Sequence, residues 1–412
     1  MKTRILYPFY CAGLALALAA CGSSDEGTGG NSGADGGNQA ADGGGAMADG
    51  SNAGADGGHQ MTDGGSTGAD GGEQMADAGA AAPDSGEQVP DSGNAGADGG
   101  SAGSDGGSEA SVGSIHGEGT FEVEVTEDLV YAQGLVHADW RSAESMPMDL
   151  LLDVYQPVRD NPPKMPVIVF IHGGGFRGGS HKKPEFQEMA RSFASRGWVA
   201  FSIDYRVLSH HGTLPPNYPE PPIEVPDMER LDQWYAFYPA CRDAKAAIRW
   251  IRSRANEYSI NTDYITALGG SAGSFIAVAL GVTNEDDCVS DVSEDDDVTL
   301  AGTHLDQSSG IRTIIDHWGG TGIVRALELM TPGARFDATD APISIIHGRR
   351  DRTVPFSQAE EIKAEYDRTG VPYAWYPLDD EAHAPWRVEV GDKNLTELAF
   401  DFIVEQQGLE LE

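Results

Sequence analysis

The sequence predicts an α/β fold, with a mostly parallel central sheet and helices on both faces, over residues 117–412. The segment "PVIVFIHGG" (166–174) is a continuous β-branched run that ends in glycines, which is typical of a buried parallel strand. The segment "PEFQEMARSFASRG" (184–197) predicts a helix with proline at its start and glycine at its end. Alternation of such segments favours parallel strands that are joined by helices.

The same alternation continues to the C-terminus. Residues 198–205 and 264–270 predict strands, and residues 240–258 and 271–281 predict helices. Three further strand candidates and two helix candidates follow: 311–319, 342–348 and 373–378, and 357–370 and 394–407. Together these segments are long enough to bury one sizeable core.

The first 21 residues predict an export signal with a lipid attachment site. A short, positively charged start precedes an apolar run from residue 5 to residue 20, which is too short for a comfortable membrane span. Residues 18–21, Leu-Ala-Ala-Cys, resemble the lipobox of bacterial lipoproteins. An ordinary signal peptide cleaved nearby is the alternative. We expect lipidation at Cys21 and anchoring to the bacterial cell envelope, at the outer membrane because Gly22 rather than aspartate follows.

Residues 22–116 are rich in glycine, alanine and aspartate, and aspartate recurs every seven residues from Asp35 to Asp105. A coiled coil is excluded because no leucine or isoleucine recurs with the aspartates. A calcium-binding β-helix has a different period and needs large apolar residues. A segment that cannot bury apolar surface does not fold. We therefore predict a disordered linker over 22–116, followed by one folded domain over 117–412.

The net charge of the chain is −38. The predicted folded domain is itself acidic, because residues 121–412 hold 48 Asp and Glu against 25 Lys and Arg. Such a domain repels the phosphate backbone, so nucleic acid is excluded as a partner.

Ser271 lies between a predicted strand and a predicted helix, in the segment "GGSAG". A serine in G-x-S-x-G at such a junction rides on a sharp, strained turn, where larger neighbours would clash with the strand and the helix. The helix then points its N-terminus at the hydroxyl, and the amide of Ala272 is free to donate to an oxyanion. The alternative is a glycine-rich turn without chemistry.

Two further segments add to this pattern. In "HGGGF" (172–176), glycines allow backbone N–H groups to approach a carbonyl oxygen, and we predict Gly174 and Gly175 as oxyanion-hole donors beside Ala272. His172 is expected to buttress this loop rather than to transfer protons.

Asp351 follows a predicted strand in "HGRRDRTVP", and His383 lies in the loop "DDEAHAPW". The chain order serine, aspartate, histidine is typical of one group of hydrolases, and we predict Ser271, Asp351 and His383 as a catalytic triad. Asp351 as a turn residue or a partner of nearby arginines is the alternative.

From about residue 148 the chain resembles the α/β-hydrolases, and in particular the carboxylesterases related to hormone-sensitive lipase and to bifunctional feruloyl and acetyl-xylan esterases. The segments that carry the resemblance include "VIVFIHGGGF", "AFSIDYR", "ITALGGSAGS" and "IIHGRRDRTVP". The resemblance implies an exported serine carboxylesterase whose partner is an ester substrate, free or linked to plant polysaccharide. It implies no metal and no organic cofactor. Two segments depart from the pattern, the proline-rich 207–239 and the acidic 284–310.

Within the departing segments, the acidic run 294–297 is expected to be a solvated loop rather than a calcium site, because no EF-hand spacing is present. Five aromatic residues of the first segment have three possible roles, in an acyl pocket, in stacking on sugars or in packing: Tyr218, Trp234, Tyr235, Phe237 and Tyr238. An exported protein meets an oxidising compartment, so a disulfide between Cys241 and Cys288 is expected.

Two other function classes remain open. A serine peptidase of the prolyl-oligopeptidase type shares the fold and the triad, although no propeller segment precedes the predicted hydrolase. A non-enzymatic surface lipoprotein built on a hydrolase scaffold is the other possibility, against which the three triad residues argue.

Overall fold

The computed structural model describes residues 112–221 and 228–412, with the side chains of 228–231 left out. The predicted signal, Cys21 and nearly all of the predicted linker lie outside these residues. The described part begins five residues before the predicted domain start at 117, and Ile115 is fully buried there.

The predicted α/β architecture is confirmed. In the described part, eight strands form one sheet in the order β1-β2-β4-β3-β5-β6-β7-β8, in which β1, β2 and β4 pair antiparallel and all other neighbours pair parallel. The strands are β1 (Val123–His137), β2 (Ser145–Pro157), β3 (Met165–Ile171), β4 (Val199–Ile203), β5 (Ile260–Gly270), β6 (Thr313–His317), β7 (Ile343–Gly348) and β8 (Tyr373–Leu378). A separate short hairpin is formed by β9 (Glu389–Val390) and β10 (Lys393–Asn394).

Helices cover both faces of the sheet, as the alternating pattern predicts. The helices are α1 (Pro184–Ser195), α2 (Met228–Ser253), α3 (Ala272–Val282), α4 (Gly322–Met330), α5 (Ser357–Thr369) and α6 (Leu395–Gln407). Buried side chains of α2 to α5 form one core cluster with alternate residues of the sheet, and those of α1 and α6 form the other. Strand β3 is buried at every position, which is why its sequence reads as a continuous apolar run.

The predicted helix over 240–258 is longer at its start and shorter at its end than expected, since α2 spans Met228–Ser253 and contains Pro239. The C-terminal part of the proline-rich segment is therefore helical. Four of its five aromatic residues are buried, with relative exposures of 4 % or less: Tyr218, Trp234, Phe237 and Tyr238. These four pack the segment onto the body of the domain.

The acidic segment is anchored by a buried charge, which corrects the expectation of a solvated run at 294–297. Asp297 is fully buried, and its carboxylate lies 2.8 Å from Nη1 of Arg242 and accepts a hydrogen bond from the hydroxyl of Thr213 at 2.8 Å. Arg242 belongs to α2, so the acidic segment is tied to the helix that crosses the core. Asp295 in the same run is exposed.

The expected disulfide is not formed. Cys241 in α2 and Cys288 in the acidic segment are both free and buried, and the two thiols contact each other. Burial raises the pKa of the Cys288 thiol, which favours the unreactive protonated form. Ion pairs hold this segment instead of a covalent bond, among them Arg335 with Asp287 at 2.9 Å.

Within residues 112–221 and 228–412, no helix combines the length and apolar composition that crossing a bilayer requires.

We expect Asp297→Asn to lower the free energy of unfolding by about 3 kcal/mol or more, because the substitution leaves Arg242 buried without its charge partner. Asp295→Asn is the matched control in the same acidic run, and its effect should stay within about 0.5 kcal/mol. Urea titration followed by circular dichroism measures both. Equal effects of the two substitutions would contradict the anchoring role of Asp297.

Candidate active site

Ser271 stands at the turn between β5 and α3, as the sequence predicts. Its backbone has φ 54° and ψ −122°, a conformation that L-residues rarely adopt. A Cβ on Gly269 would overlap the backbone of Gly273, and a Cβ on Gly273 would overlap the carbonyl oxygen of Ile171 in β3. A Cβ on Gly173 would come within 2.7 Å of the carbonyl oxygen of Gly270. The small residues around the serine are therefore required by the close approach of strand, turn and helix.

The structure brings the three predicted triad residues together. Nε2 of His383 lies 3.0 Å from Oγ of Ser271, and its Nδ1 lies 2.7 Å from Oδ2 of Asp351. The three side chains follow three neighbouring strands, because Ser271 comes after β5, Asp351 after β7 and His383 after β8. The carboxyl ends of parallel strands meet at one edge of the sheet, so a large separation in sequence becomes a short distance.

Asp351 is fixed as an ionised carboxylate. Its Oδ1 accepts hydrogen bonds from the backbone N–H groups of Thr353 and Val354 at 2.8 and 2.9 Å, and Nε2 of His347 lies 3.3 Å from its Oδ2. Burial by itself raises the pKa of Asp351, but the contacts with His347 and His383 outweigh it and hold that pKa well below its usual range. The negative charge that orients His383 is thus retained.

His347, the second-last residue of strand β7 in "IIHG", was not identified from the sequence. Its Nε2 also lies 2.8 Å from the carbonyl oxygen of Val354, so it ties the end of the strand to the loop that carries Asp351. A histidine at the carboxyl end of a buried strand was the available signal.

The predicted oxyanion-hole residues lie on the two segments beside Ser271. Gly174 and Gly175 have φ of 117° and 61°, and Ala272 is the first residue of α3. Among the backbone hydrogen bonds of the described residues, none uses the N–H of these three residues outside the regular elements. The three N–H groups therefore have no such bond that would compete with an oxyanion.

The contacts of His172 hold the start of the glycine loop, which is the role expected of this residue. Its side chain is 1 % exposed, its Nδ1 lies 2.7 Å from the carbonyl oxygen of Gly173, and its ring stacks on Tyr205 at 4.3 Å between centroids. On its other side, Nε2 lies 3.5 Å from a carboxylate oxygen of Asp204. The imidazole therefore fixes the start of the glycine loop.

The buried carboxylate of Asp316, which the sequence did not indicate, supports the turn at Ser271. The hydroxyl of Ser274 donates to Oδ1 of Asp316 at 2.5 Å, and the N–H of Gly319 donates to the same oxygen at 2.9 Å. The N–H of Ser271 donates to the carbonyl oxygen of His317 at 2.9 Å. These bonds tie the first turn of α3 to the end of β6.

A cleft of about 540 Å³ opens beside the glycine loop. Leu208 is one of its lining residues, and its N–H donates to the carbonyl oxygen of Phe176 at 2.7 Å, which places the cleft next to the loop. Trp140 is half-buried in its wall, with His211 edge-on at 5.0 Å and Tyr235 at 5.6 Å between ring centroids. Charged residues complete the lining: Asp139, Arg177 and Asp232.

Sequence comparison relates this chain to esterases. The BD-FAE family model, which describes proteins of the bifunctional feruloyl and acetyl-xylan esterase type, matches residues 152–217 and 229–331. Esterase LipC of Mycobacterium tuberculosis is 28 % identical over 230 residues, which are 52 % of this chain and 51 % of that protein. Esterase LipQ of the same organism is 21 % identical over 257 residues, 58 % of this chain and 55 % of that protein. The chain spans about half the length of these relatives.

Solved structures include esterase 2 of Thermogutta terrifontis with bound butyrate. It is 26 % identical, with a TM-score of 0.48 over 70 % of this chain and 95 % of that one. The sheet order, the turn at Ser271 and the family match agree with one another, and the resemblance inferred from the sequence is confirmed. The described part of the chain has the α/β-hydrolase fold, and the sequence is similar to the BD-FAE family and to the mycobacterial esterases.

Proposed function

We propose that the protein hydrolyses carboxylic esters through an acyl-enzyme on Ser271. The contact chain from Ser271 through His383 to Asp351, at 3.0 and 2.7 Å, carries this proposal. Both distances are those of hydrogen bonds between a nucleophile, its base and an orienting acid.

In the proposed reaction, Oγ of Ser271 attacks the ester carbonyl carbon while its proton passes to Nε2 of His383. The imidazolium that forms is stabilised by Asp351, whose carboxylate is already ionised. The carbonyl oxygen becomes negative and accepts hydrogen bonds from the N–H groups of Gly174, Gly175 and Ala272. His383 then returns the proton to the departing alkoxide, which releases the alcohol.

The second half of the reaction uses the same groups. A water molecule gives a proton to His383 and attacks the acyl carbon, and the proton returns to Oγ of Ser271 as the acid leaves. No residue beyond the triad and the three backbone donors is required.

Ser271→Ala should lower turnover on p-nitrophenyl acetate by at least about 10⁴-fold, and Asp351→Asn by about 10³- to 10⁴-fold, because the histidine loses its orienting charge. Asp379→Asn is the matched control, since Asp379 pairs with Arg349 at the surface, and should leave turnover within about twofold. Steady-state kinetics at pH 7 measure all three.

Turnover retained by Ser271→Ala would contradict the proposed nucleophile. A large loss in Asp379→Asn with a small loss in Asp351→Asn would show that Asp351 is not the acid that orients His383. Parallel assays with peptide anilides test the peptidase alternative.

We further infer that the ester is carried by a large alcohol, such as an acetyl or feruloyl ester on plant polysaccharide. The similarity to the BD-FAE family supports this substrate class. The cleft beside the glycine loop adds support, because Trp140 offers an aromatic face and Asp139, Arg177 and Asp232 offer polar groups, a combination suited to sugars.

Trp140→Ala should lower kcat/KM on feruloylated or acetylated xylo-oligosaccharides by about three- to tenfold through the lost stacking surface. The same variant should hydrolyse p-nitrophenyl acetate within about twofold of the wild-type rate, because that ester does not reach the cleft. Equal losses on both substrates would mean that Trp140 supports the fold rather than the alcohol.

The protein is proposed to be exported and held at the outer membrane by lipid on Cys21, with residues 22–116 as a spacer. The lipobox-like residues 18–21 and the repeated acidic composition support this proposal.

Cys21→Ser should move the protein from the membrane pellet to the soluble fraction of fractionated cells, because the lipid would be its membrane anchor. Gly22→Ala, which keeps the cysteine, is the control and should remain in the pellet. A Cys21→Ser protein that still sediments with membranes would overturn the anchoring proposal.

A further inference from the structure

Three side chains with metal-binding atoms meet where β1 and β2 pair, and none of them belongs to the predicted triad. Asp128, Asp153 and His181 each offer one ligand atom, and these atoms lie within 4.8 Å of one another. We call them the outer cluster. Asp128 stands at an irregularity of β1 with φ 58°, Asp153 lies in β2, and His181 follows the glycine loop.

The spacing of the outer cluster suits a small metal ion. Nε2 of His181 lies 3.0 Å from Oδ1 of Asp128 and 3.3 Å from Oδ1 of Asp153. A tetrahedral zinc ion with bonds of about 2.0 to 2.1 Å separates its ligand atoms by about 3.3 Å. The three donor atoms therefore surround a position that such an ion can occupy with little movement.

A fourth residue holds the histidine as it is held in many zinc sites. Nδ1 of His181 lies 2.7 Å from Oδ2 of Asp204, and the backbone N–H of His181 donates to Oδ1 of Asp204 at 2.7 Å. The contact at Nδ1 and the backbone hydrogen bond fix the orientation of the ring, so that Nε2 faces the carboxylate oxygens of Asp128 and Asp153. A cation between Nε2 and these oxygens stabilises such an arrangement.

A buried oxygen gives independent support. The side chain of Asp153 is fully buried, and its Oδ2 has no hydrogen-bond partner among the described residues, although Oδ1 accepts from the N–H of Asp128 at 2.9 Å. An unpaired buried carboxylate oxygen is costly. A metal ion bound by both oxygens of Asp153 would satisfy this oxygen together with Oδ1, which lies 3.3 Å from Nε2 of His181.

The charges around the outer cluster are mostly negative. Lys182 occupies the other oxygen of Asp128 at 2.7 Å and lies 3.3 Å from Glu127, so it leaves Oδ1 of Asp128 turned toward His181. With His181 neutral, one lysine faces the carboxylates of Glu127, Asp128, Asp153 and Asp204. Asp128 is exposed, which gives an ion a path into the cluster from solvent.

We propose that Asp128, Asp153 and His181 bind a divalent transition-metal ion of the zinc class, with Asp204 orienting His181. The resemblance to carboxylesterases implies no metal, and the three ligands come from separate segments that form no spaced motif. A nitrogen donor with two carboxylates favours zinc over calcium and magnesium, which take six or more oxygen ligands. The competing occupant is a proton, which would make His181 an imidazolium.

The ion would also stiffen the segment that leads away from the glycine loop. Asp204 contacts both His181 and Nε2 of His172, which supports Gly173. The outer cluster and the glycine loop therefore share one carboxylate. The main expected effect is on stability, because no atom of the cluster belongs to the proposed triad.

The test is zinc binding by the purified full chain after treatment with EDTA, measured by isothermal titration calorimetry at pH 7.5. We expect one zinc per chain at the outer cluster and a higher thermal unfolding temperature with zinc than with EDTA. His181→Gln and Asp128→Asn should each weaken this binding by at least about 100-fold and remove the thermal shift, since each removes one ligand.

Asp128→Asn is expected to fold normally because the side chain of Asp128 is exposed. Circular dichroism verifies the fold of this variant. His116→Gln is the matched control, as His116 lies 4.0 Å from a single carboxylate at the C-terminus, and it should bind zinc like the wild type. Absence of zinc binding would overturn the proposal. So would zinc binding that persists in both cluster variants, or equal thermal shifts with calcium and zinc. The readout does not involve ester hydrolysis, so its outcome is independent of the proposed function.

Discussion

The backbone turn at Ser271 is the constraint on which the rest of the site depends. A conformation with φ 54° and ψ −122° costs about 1 to 3 kcal/mol and persists only where its surroundings impose it. Here β5 is held between β3 and β6, and the N–H of Ser271 is bonded to the end of β6. Gly269 and Gly273 let strand and helix meet without overlap. The hydroxyl is thereby fixed before any substrate arrives.

This constraint explains why the sequence carries clear signals around Ser271. Glycines are required where backbones touch, and apolar runs are required where strands are buried on both faces, so both leave clear local signals. The parallel strands β3 and β5 to β8, the serine turn and the glycine loop follow from such signals. Asp351 and His383 could be placed because they follow strand ends, and strand ends share one edge of a parallel sheet.

Features that depend on contacts between distant segments could not be predicted in the same way. The long strands β1 and β2 carry exposed and buried residues in irregular alternation, and two register shifts interrupt their pairing. Asp297 reads as one acid in a charged run, yet it is the partner of Arg242 in the core. Neighbouring residues in a sequence give no indication of which charge will be buried, since the burial depends on a partner elsewhere.

The groups around Ser271 are of two kinds, the buried carboxylate of Asp351 and the proposed backbone N–H donors. Asp351 lies behind His383, ionised and shielded from solvent, and the proposed oxyanion donors Gly174 and Ala272 belong to the glycine loop and to the start of α3. In the proposed hydrolysis, positive charge develops on the histidine and negative charge on the substrate oxygen, so each charge forms next to a group of opposite sign. Because the pKa of Asp351 is held so low, the carboxylate stays charged as pH falls through the usual aspartate range. The stabilisation that it gives the fold is accordingly complete above that range and is lost progressively as pH falls from the usual aspartate pKa to the lower pKa of the folded protein.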